Sequence, residues 1–280
     1  MYWTDMSYKR ILTVQDISCL GQCSAMVALP ILSACGLETC LLPTMVLSTH
    51  TGGLGTPVRR DLTVDLLPIC DHWQSQDISF DGICVGYLGK AEQAQMVAEI
   101  SRRLLAEGGL LVVDPAMADH GKCYSGINEG CVHAMKALCR QADVILPNVT
   151  EACFLADVDY HEPSGEEDVR KLLDMLETQY GGTIVLTGVE LQPGHTGFAL
   201  RCNGKDSLYQ RPRVGKSYHG TGDMFTAVFS GALLQGRTSF DAAVLAAEYV
   251  ARAAENTFRE PAHDYGVKFE TVLPWLVQQI

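Results

Sequence analysis

The stretch HGTGDMFTAVFSGALLQG, residues 219–236, joins a glycine-rich turn to a long run of apolar and small residues. Gly220 and Gly222 lack side chains where the backbone must turn sharply, so successive N–H groups can point at one anion as a helix begins. Asp223 falls in the first turn of that helix, where the helix dipole favours an ionised carboxylate. The stretch therefore predicts an anion-binding turn with a proton acceptor beside it.

The rest of the chain alternates apolar runs with helical patterns. Strands are predicted at residues 11–14, 40–47, 83–87, 110–113, 144–146 and 184–187, and helices at residues 24–35, 91–106, 130–140, 166–180, 221–235 and 240–258. Residues 54–81 are less regular, and residues 195–211 are typical of a hairpin. Strand followed by helix, repeated, indicates parallel crossovers, and the apolar strands fit a sheet covered on both faces. We expect an α/β fold with a mainly parallel central sheet, in one domain over residues 1–280.

Polar residues follow each predicted strand. They are Asp16, residues 48–53, Tyr87, Asp114 with Asp119, Asn148 with Glu151, and Thr187 with Gly188. In an open parallel sheet, residues beyond the carboxyl ends of the strands face one crevice, where ligands bind. These side chains are therefore predicted to share one site.

Composition excludes several classes of protein. The net charge of −12 repels phosphate polyanions, and Lys and Arg form no basic patch, so nucleic acid is not an expected partner. The 11 cysteines show no paired spacing, which favours reduced thiols over disulfides or a zinc site. There is no leader-like start and no run of eighteen apolar residues, so we expect a cytoplasmic protein without membrane contact.

A carboxylate beside an anion cradle suits phosphoryl transfer, because the amides stabilise the phosphate while the carboxylate takes the proton of an acceptor hydroxyl. An ordinary helix start with a helpful acid explains the same residues, and the turn alone does not separate the two interpretations. The sequence contains no G-x-x-x-x-G-K-[ST] loop, no G-x-G-x-x-G after the first strand and no G-x-S-x-G elbow.

HGTGD with its small-residue helix, and LPNVTE at residues 146–151, resemble the signatures of the ribokinase-like superfamily. TMVLSTHTGG (residues 44–53), VGYLG (85–89) and VVDPAMADHGKCYSG (112–126) resemble its pyridoxal kinase branch, and the resemblance spans residues 11–258. It implies a three-layer α/β/α fold and an ATP-dependent kinase acting on the 5′-hydroxymethyl group of pyridoxal, pyridoxine or pyridoxamine. It further implies Mg²⁺, a monovalent cation such as K⁺ or Na⁺, and a homodimer.

The resemblance also implies roles for single residues. Asp223 would be the general base, and Gly220 and Gly222 would form the anion hole. Nucleotide contacts would come from Asp114, Tyr124, Asn148, Thr187 and Thr221, and the metal would be held by Asp119 and Glu151. The B6 vitamer would contact Asp16, His50, Thr51 and Tyr87, with the Tyr87 ring stacked on the pyridine.

Alternatives remain open at this point. Asn148 and Glu151 also have the spacing of a helix capping box, and both interpretations can hold together. The alanine-rich segment at residues 242–254 is expected to be a packed helix that walls the adenine pocket. A kinase of the same superfamily acting on hydroxymethylpyrimidine or a sugar, and a non-catalytic nucleotide-binding relative, are the competing functions. The presence of Asp223 together with Asn148 and Glu151 favours an enzyme.

One residue departs from the pattern of the branch. Asp16 follows Val14 and Gln15, where pyridoxal kinases usually carry a serine. A serine donates or accepts a hydrogen bond, whereas an ionised aspartate only accepts and favours a protonated ring nitrogen or an amine. Asp16 is therefore hypothesised to shift the preference among vitamers, or towards an aminopyrimidine. Thr49, where asparagine is frequent in the branch, adds to this difference.

Overall fold

The computed structural model describes residues 8–52, 54–215, 218–260, 263 and 265–280. The strands are β1 (Arg10–Ser18), β2 (Glu38–Leu47), β3 (Arg59–Asp61), β4 (Phe80–Val85), β5 (Leu105–Val113), β6 (Ala118–Asp119), β7 (Lys122–Cys123), β8 (Val144–Ile145), β9 (Thr183–Val189), β10 (His195–Cys202) and β11 (Lys205–Pro212). The helices are α1 (Ala25–Ala34), α2 (Thr63–Ser75), α3 (Ala91–Leu104), α4 (Glu129–Cys139), α5 (Val149–Leu155), α6 (Glu166–Tyr180), α7 (Thr221–Leu234), α8 (Ser239–Phe258) and α9 (Leu273–Gln279). A short 3₁₀ helix, Phe269–Val272, precedes α9.

The main sheet has nine strands in the order β11-β10-β9-β8-β5-β4-β1-β2-β3. The run from β9 to β2 is parallel, while β3, β10 and β11 pair antiparallel at the two edges. β6 and β7 form a separate small hairpin. The chain passes from β1 to β2 on one side and returns to β4 on the other, so strand order reverses at β1. Ligand crevices of open sheets lie at such a reversal.

Successive side chains of the central strands point to opposite faces of the sheet, and both faces are buried. In β4, Ile83 and Val85 belong to one buried cluster and Cys84 belongs to the other. The first cluster packs α2 to α6 against the sheet, and the second packs α1, α7 and α8 against the opposite face. The result is three layers, α/β/α, as the sequence predicts.

The fold class is confirmed, and the main difference lies in residues 54–81. This segment, predicted to be irregular, contains β3 and α2. Pro68 lies inside α2 and removes one helical N–H donor, which weakens the sequence signal for a helix there. Within the part of the chain that is described, no helix is both long and apolar enough to cross a bilayer.

Candidate active site

A cavity of about 870 Å³ opens at the carboxyl ends of the parallel strands. Of the predicted 48–53 segment, His50, Thr51 and Gly52 line it, whereas Ser48 and Thr49 do not. All the residues to which the resemblance assigns a role line it: Asp16, His50, Thr51, Tyr87, Asp114, Asp119, Tyr124, Asn148, Glu151, Thr187, Gly220, Thr221, Gly222 and Asp223. Gly53, in the predicted 48–53 segment, lies outside the described residues. The sheet thus brings together residues that are up to about two hundred positions apart in the chain, as its topology requires. Their individual roles stay predictions.

The glycine turn before α7 has a conformation that only glycine adopts easily. Gly220 has φ +83°, and a Cβ atom added there would lie 1.8 Å from the carbonyl oxygen of Gln22. At Gly222 the nearest atom to such a Cβ is Asp114 Oδ2, at 3.9 Å, which is ordinary van der Waals contact and no collision. Because the first N–H groups of a helix have no partner within the helix, the turn presents free donors to the cavity.

Asp223 lies in the first turn of α7 and is partly exposed to the cavity. Burial raises the pKa of its carboxyl to about 7, and the nearby carboxylates of Asp114 and Asp16 raise it further, against a hydrogen bond with the Ser24 backbone that lowers it. A pKa near neutrality suits a general base, since the group is partly ionised and still basic enough to accept a proton.

Asp114 directly follows β5 and contacts α7. It is 8% exposed, and Thr226 Oγ1 donates a 2.8 Å hydrogen bond to its Oδ2. Burial raises the Asp114 pKa to about 6, while the Thr226 bond lowers it. Asp114 and Asp223 therefore form a close acidic pair that a cation would stabilise.

Asn148 and Glu151 form a complete capping box at the start of α5. The Glu151 N–H donates to Asn148 Oδ1, and the Asn148 N–H donates to Glu151 Oε2, both at 2.9 Å. Glu151 Oε1 also accepts the N–H of Met117 at 3.0 Å, at the base of the β6–β7 hairpin that carries Asp119. Burial and Asp114 raise the Glu151 pKa, and the backbone N–H groups oppose this. Glu151 thus holds the hairpin through backbone bonds, in addition to facing the cavity.

His50 is 4% exposed and has partners at both ring nitrogens. Its Nδ1 accepts the Gly52 N–H at 3.1 Å, which leaves Nε2 to donate to the Tyr265 carbonyl oxygen at 3.0 Å. The His50 and His219 rings lie 5.2 Å apart. In this arrangement both His50 nitrogens are used to hold the 48–52 loop, so the predicted polar contact to substrate would have to compete with these bonds.

Asp16 lies within β1, two residues before its end, although the sequence predicts that it follows the strand. The pairing of β1 with β2 shifts register between Gln15 and Ile17, so Asp16 falls at an irregularity. Such irregularities re-aim side chains next to functional sites. Here Asp16 is buried and still lines the cavity.

Several lining residues were not predicted from the sequence. Cys23, Ser18 and Ser24 lie near Asp16, and Arg211, Arg213 and Glu190 line the end formed by β9 to β11. Arg211 pairs with Glu248 and Glu255, and Arg213 pairs with Glu190. Because these arginines pair with glutamates far away in the sequence, no local spacing of residues could have predicted them as part of the site. Ala247, Val250, Ala251 and Ala254 of α8 also line the cavity, as expected for the alanine-rich segment.

The model of the phosphomethylpyrimidine kinase family matches residues 62–267. The chain belongs to this family. A pyridoxine/pyridoxal/pyridoxamine kinase from Bordetella avium (strain 197N) is 30% identical over 266 residues, covering 87% of this chain and 83% of the relative. The solved structure of the pyridoxal kinase from Lactobacillus plantarum has a TM-score of 0.90 and 33% identity, covering 98% of each chain. A solved structure from Bacteroides thetaiotaomicron that is named for phosphomethylpyrimidine kinase, in an orthorhombic crystal form with pyridoxal, has a TM-score of 0.91 and 33% identity over 96% of each chain. The resemblance to pyridoxal kinases found in the sequence is confirmed.

Proposed function

We propose that this member of the phosphomethylpyrimidine kinase family transfers the γ-phosphoryl group of ATP to the 5′-hydroxymethyl group of pyridoxal, pyridoxine or pyridoxamine. The observation that carries the proposal is Asp223, a carboxylate of raised pKa that faces the cavity directly after the glycine turn. Its relatives named for pyridoxal and pyridoxine support the substrate class.

In the proposed reaction Asp223 accepts the proton of the substrate hydroxyl. The hydroxyl oxygen bonds to the γ-phosphorus while the bond from that phosphorus to the β-phosphate oxygen breaks and ADP leaves. The N–H groups at Gly220, Thr221 and Gly222 hydrogen-bond the phosphoryl oxygens as negative charge develops on them. The protein therefore contributes position, a base and a fixed set of donors.

The cavity carries mostly negative charge, so it would bind a nucleotide only if cations accompany the phosphates. Its acidic lining residues are Asp16, Asp114, Asp119, Glu151, Glu162, Glu190 and Asp223. Among the described lining residues the Lys and Arg side chains are Arg211 and Arg213, and both are paired with glutamates. Oxygen ligands of this kind suit Mg²⁺, which takes few direct carboxylates and keeps several waters.

Asp119 and Glu151 would hold Mg²⁺ and its waters, with Asp114 and Asn148 beside the nucleotide, and Glu151 also fixes the hairpin that carries Asp119. When bound, the ion would supply neutralisation of phosphate charge. Thr187 lies opposite Asn148 in an isolated bridge, which supports a contact to the nucleotide phosphates. The monovalent cation, the homodimer and the cytoplasmic location are further parts of the proposal, and the single domain over residues 1–280 stays a prediction.

A screen of ATP consumption with pyridoxal, pyridoxine, pyridoxamine, hydroxymethylpyrimidine and ribose tests the proposal. We expect turnover with one or more B6 vitamers. Turnover with hydroxymethylpyrimidine alone would establish the alternative that the family name favours. ATP consumption that occurs with ribose and with no other alcohol would contradict the proposal. A lack of ATP consumption with all five alcohols would also contradict it.

A further inference from the structure

Asp16 is a buried carboxylate that faces the cavity and has no cationic partner among the described residues. It is 2% exposed, and its recorded hydrogen bonds come from hydroxyl groups and the backbone, with Ser18 Oγ donating to Oδ2 at 2.9 Å. Within the described part of the chain no Lys, Arg or His forms an ion pair with Asp16. Hydroxyl donors offset only part of the free energy lost when a carboxylate leaves water, so a ligand that brings positive charge would be favoured here.

The sheet places Asp16 beside Tyr87. Val14 of β1 is opposite Val85 of β4; Asp16 lies two residues further along β1, and Tyr87 lies two residues beyond Val85, just after the end of β4. Both residues line the cavity, and burial raises the pKa of the Tyr87 hydroxyl with a further contribution from the Asp16 carboxylate. A carboxylate and an aromatic ring that flank one volume suit a flat heteroaromatic ligand.

Asp16 and Asp223 share a neighbour, because the Ser24 side chain hydrogen-bonds the Asp16 carboxylate and the Ser24 backbone hydrogen-bonds the Asp223 carboxylate. Both carboxylates line the cavity, and after burial and Asp114 the Asp16 carboxylate also raises the pKa of Asp223. In both hydroxymethylpyridines of the B6 type and hydroxymethylpyrimidines, one ring carbon separates a ring nitrogen from the carbon that bears the hydroxymethyl group. A flat alcohol with its hydroxyl at Asp223 therefore has a nearby ring nitrogen to offer to a second acid.

We propose that Asp16 selects acceptor alcohols with a protonated ring nitrogen, by accepting that N–H in a charge-assisted hydrogen bond. This inference rests on the proposed function and names the feature of the acceptor that the site recognises, a protonated ring nitrogen. Neutral benzyl alcohols and sugars lack the donor and leave the buried carboxylate without a partner. The selection acts on the ring, whereas Asp223 acts on the hydroxyl.

The experiment compares two acceptors, pyridoxine and the analogue in which the ring nitrogen is replaced by C–H. Values of kcat and KM are measured at saturating ATP for wild type, Asp16→Asn and Asp16→Ser. Glu162→Gln is the matched control, because Glu162 is an exposed acid on the same cavity and its change removes the same charge. Thermal unfolding of each variant identifies loss of fold, and two Asp16 variants are used so that one poorly folded protein does not decide the result.

Wild type and Glu162→Gln are expected to prefer pyridoxine by roughly tenfold or more in kcat/KM, the usual size of a hydrogen bond to a charged group. Both Asp16 variants are expected to lose most of this preference, mainly through KM for pyridoxine. The inference would be overturned if the Asp16 variants lost kcat/KM equally for pyridoxine and for its analogue, or if folded Asp16 variants kept the preference for pyridoxine. Either result would leave the kinase proposal standing. Absence of ATP consumption by wild type with every alcohol would instead overturn the proposed function, and the inference with it.

Discussion

The Cα atom of Gly220 lies so close to the carbonyl group of Gln22 that a Cβ at position 220 would be 1.8 Å from the carbonyl oxygen. This contact fixes the turn before α7 against the β1–α1 loop. Gln22 is itself held by Glu270, at 3.0 Å, and by the His263 ring, at 2.8 Å. The anion-binding turn is therefore supported from a second part of the chain that follows α8.

Gly220→Ala is expected to lower kcat by roughly a hundredfold or more, because the added methyl group must displace the amides that face the phosphate. Steady-state kinetics and thermal unfolding measure the effect. Gly236→Ala is the matched control, since Gly236 also has positive φ, +92°, but no atom lies within 4 Å of its Cβ position. This control adds backbone strain without a collision. If both variants lose the same activity, the contact with Gln22 is not the cause.

Glu151→Gln is expected to raise the Mg²⁺ concentration needed for half-maximal activity by roughly tenfold, the lower end of effects seen for residues that orient metal ligands. The amide nitrogen of glutamine cannot accept the backbone N–H groups that the carboxylate now accepts, so the β6–β7 hairpin and Asp119 should shift. Glu162→Gln serves as the control for charge. A magnesium titration identical to that of wild type would argue against this role for Glu151.

The site could be located from the sequence because parallel topology dictates where strand ends meet. Asp114, Asn148 and Thr187 lie at the carboxyl ends of apolar runs, and the order of the strands in the sheet places these ends side by side. The local geometry of Asp16 and His50 could not be predicted in this way. A register shift in β1 and the carbonyl of Tyr265, more than two hundred residues from His50, determine how these side chains lie. Long-range contacts of this kind leave no periodic signal. Pro68 inside α2 likewise made this helix difficult to predict from the sequence.

His50→Ala is expected to raise KM for the acceptor alcohol by roughly tenfold and to leave KM for ATP nearly unchanged, since two hydrogen bonds of ordinary strength are lost from the 48–52 loop. His50→Asn keeps an acceptor for the Gly52 N–H, and His50→Gln keeps a donor for the Tyr265 carbonyl oxygen. Each should recover part of the loss. If neither variant differs from alanine, a direct contact between His50 and substrate becomes the better explanation.

Asp223→Asn is expected to raise the melting temperature relative to wild type at pH 8 more than at pH 5. Burial raises the pKa of Asp223 from 3.8 to about 7, so the folded state holds a proton that the unfolded state has already released between these values. The free energy of unfolding of wild type therefore falls as pH rises through this window, and the asparagine variant lacks this contribution. Asp77→Asn, a change at an exposed position, is the control. Equal differences in melting temperature at both pH values would show that Asp223 does not titrate as proposed.

The most direct test of the kinase account is the rate of phosphoryl transfer to pyridoxal in a single turnover, measured for wild type and Asp223→Asn at pH 8 with bound ATP. The account predicts that the variant binds ATP as wild type does and transfers the phosphoryl group at least about a hundredfold more slowly, as expected for removal of a general base. Transfer by the variant at a rate close to that of wild type would contradict it.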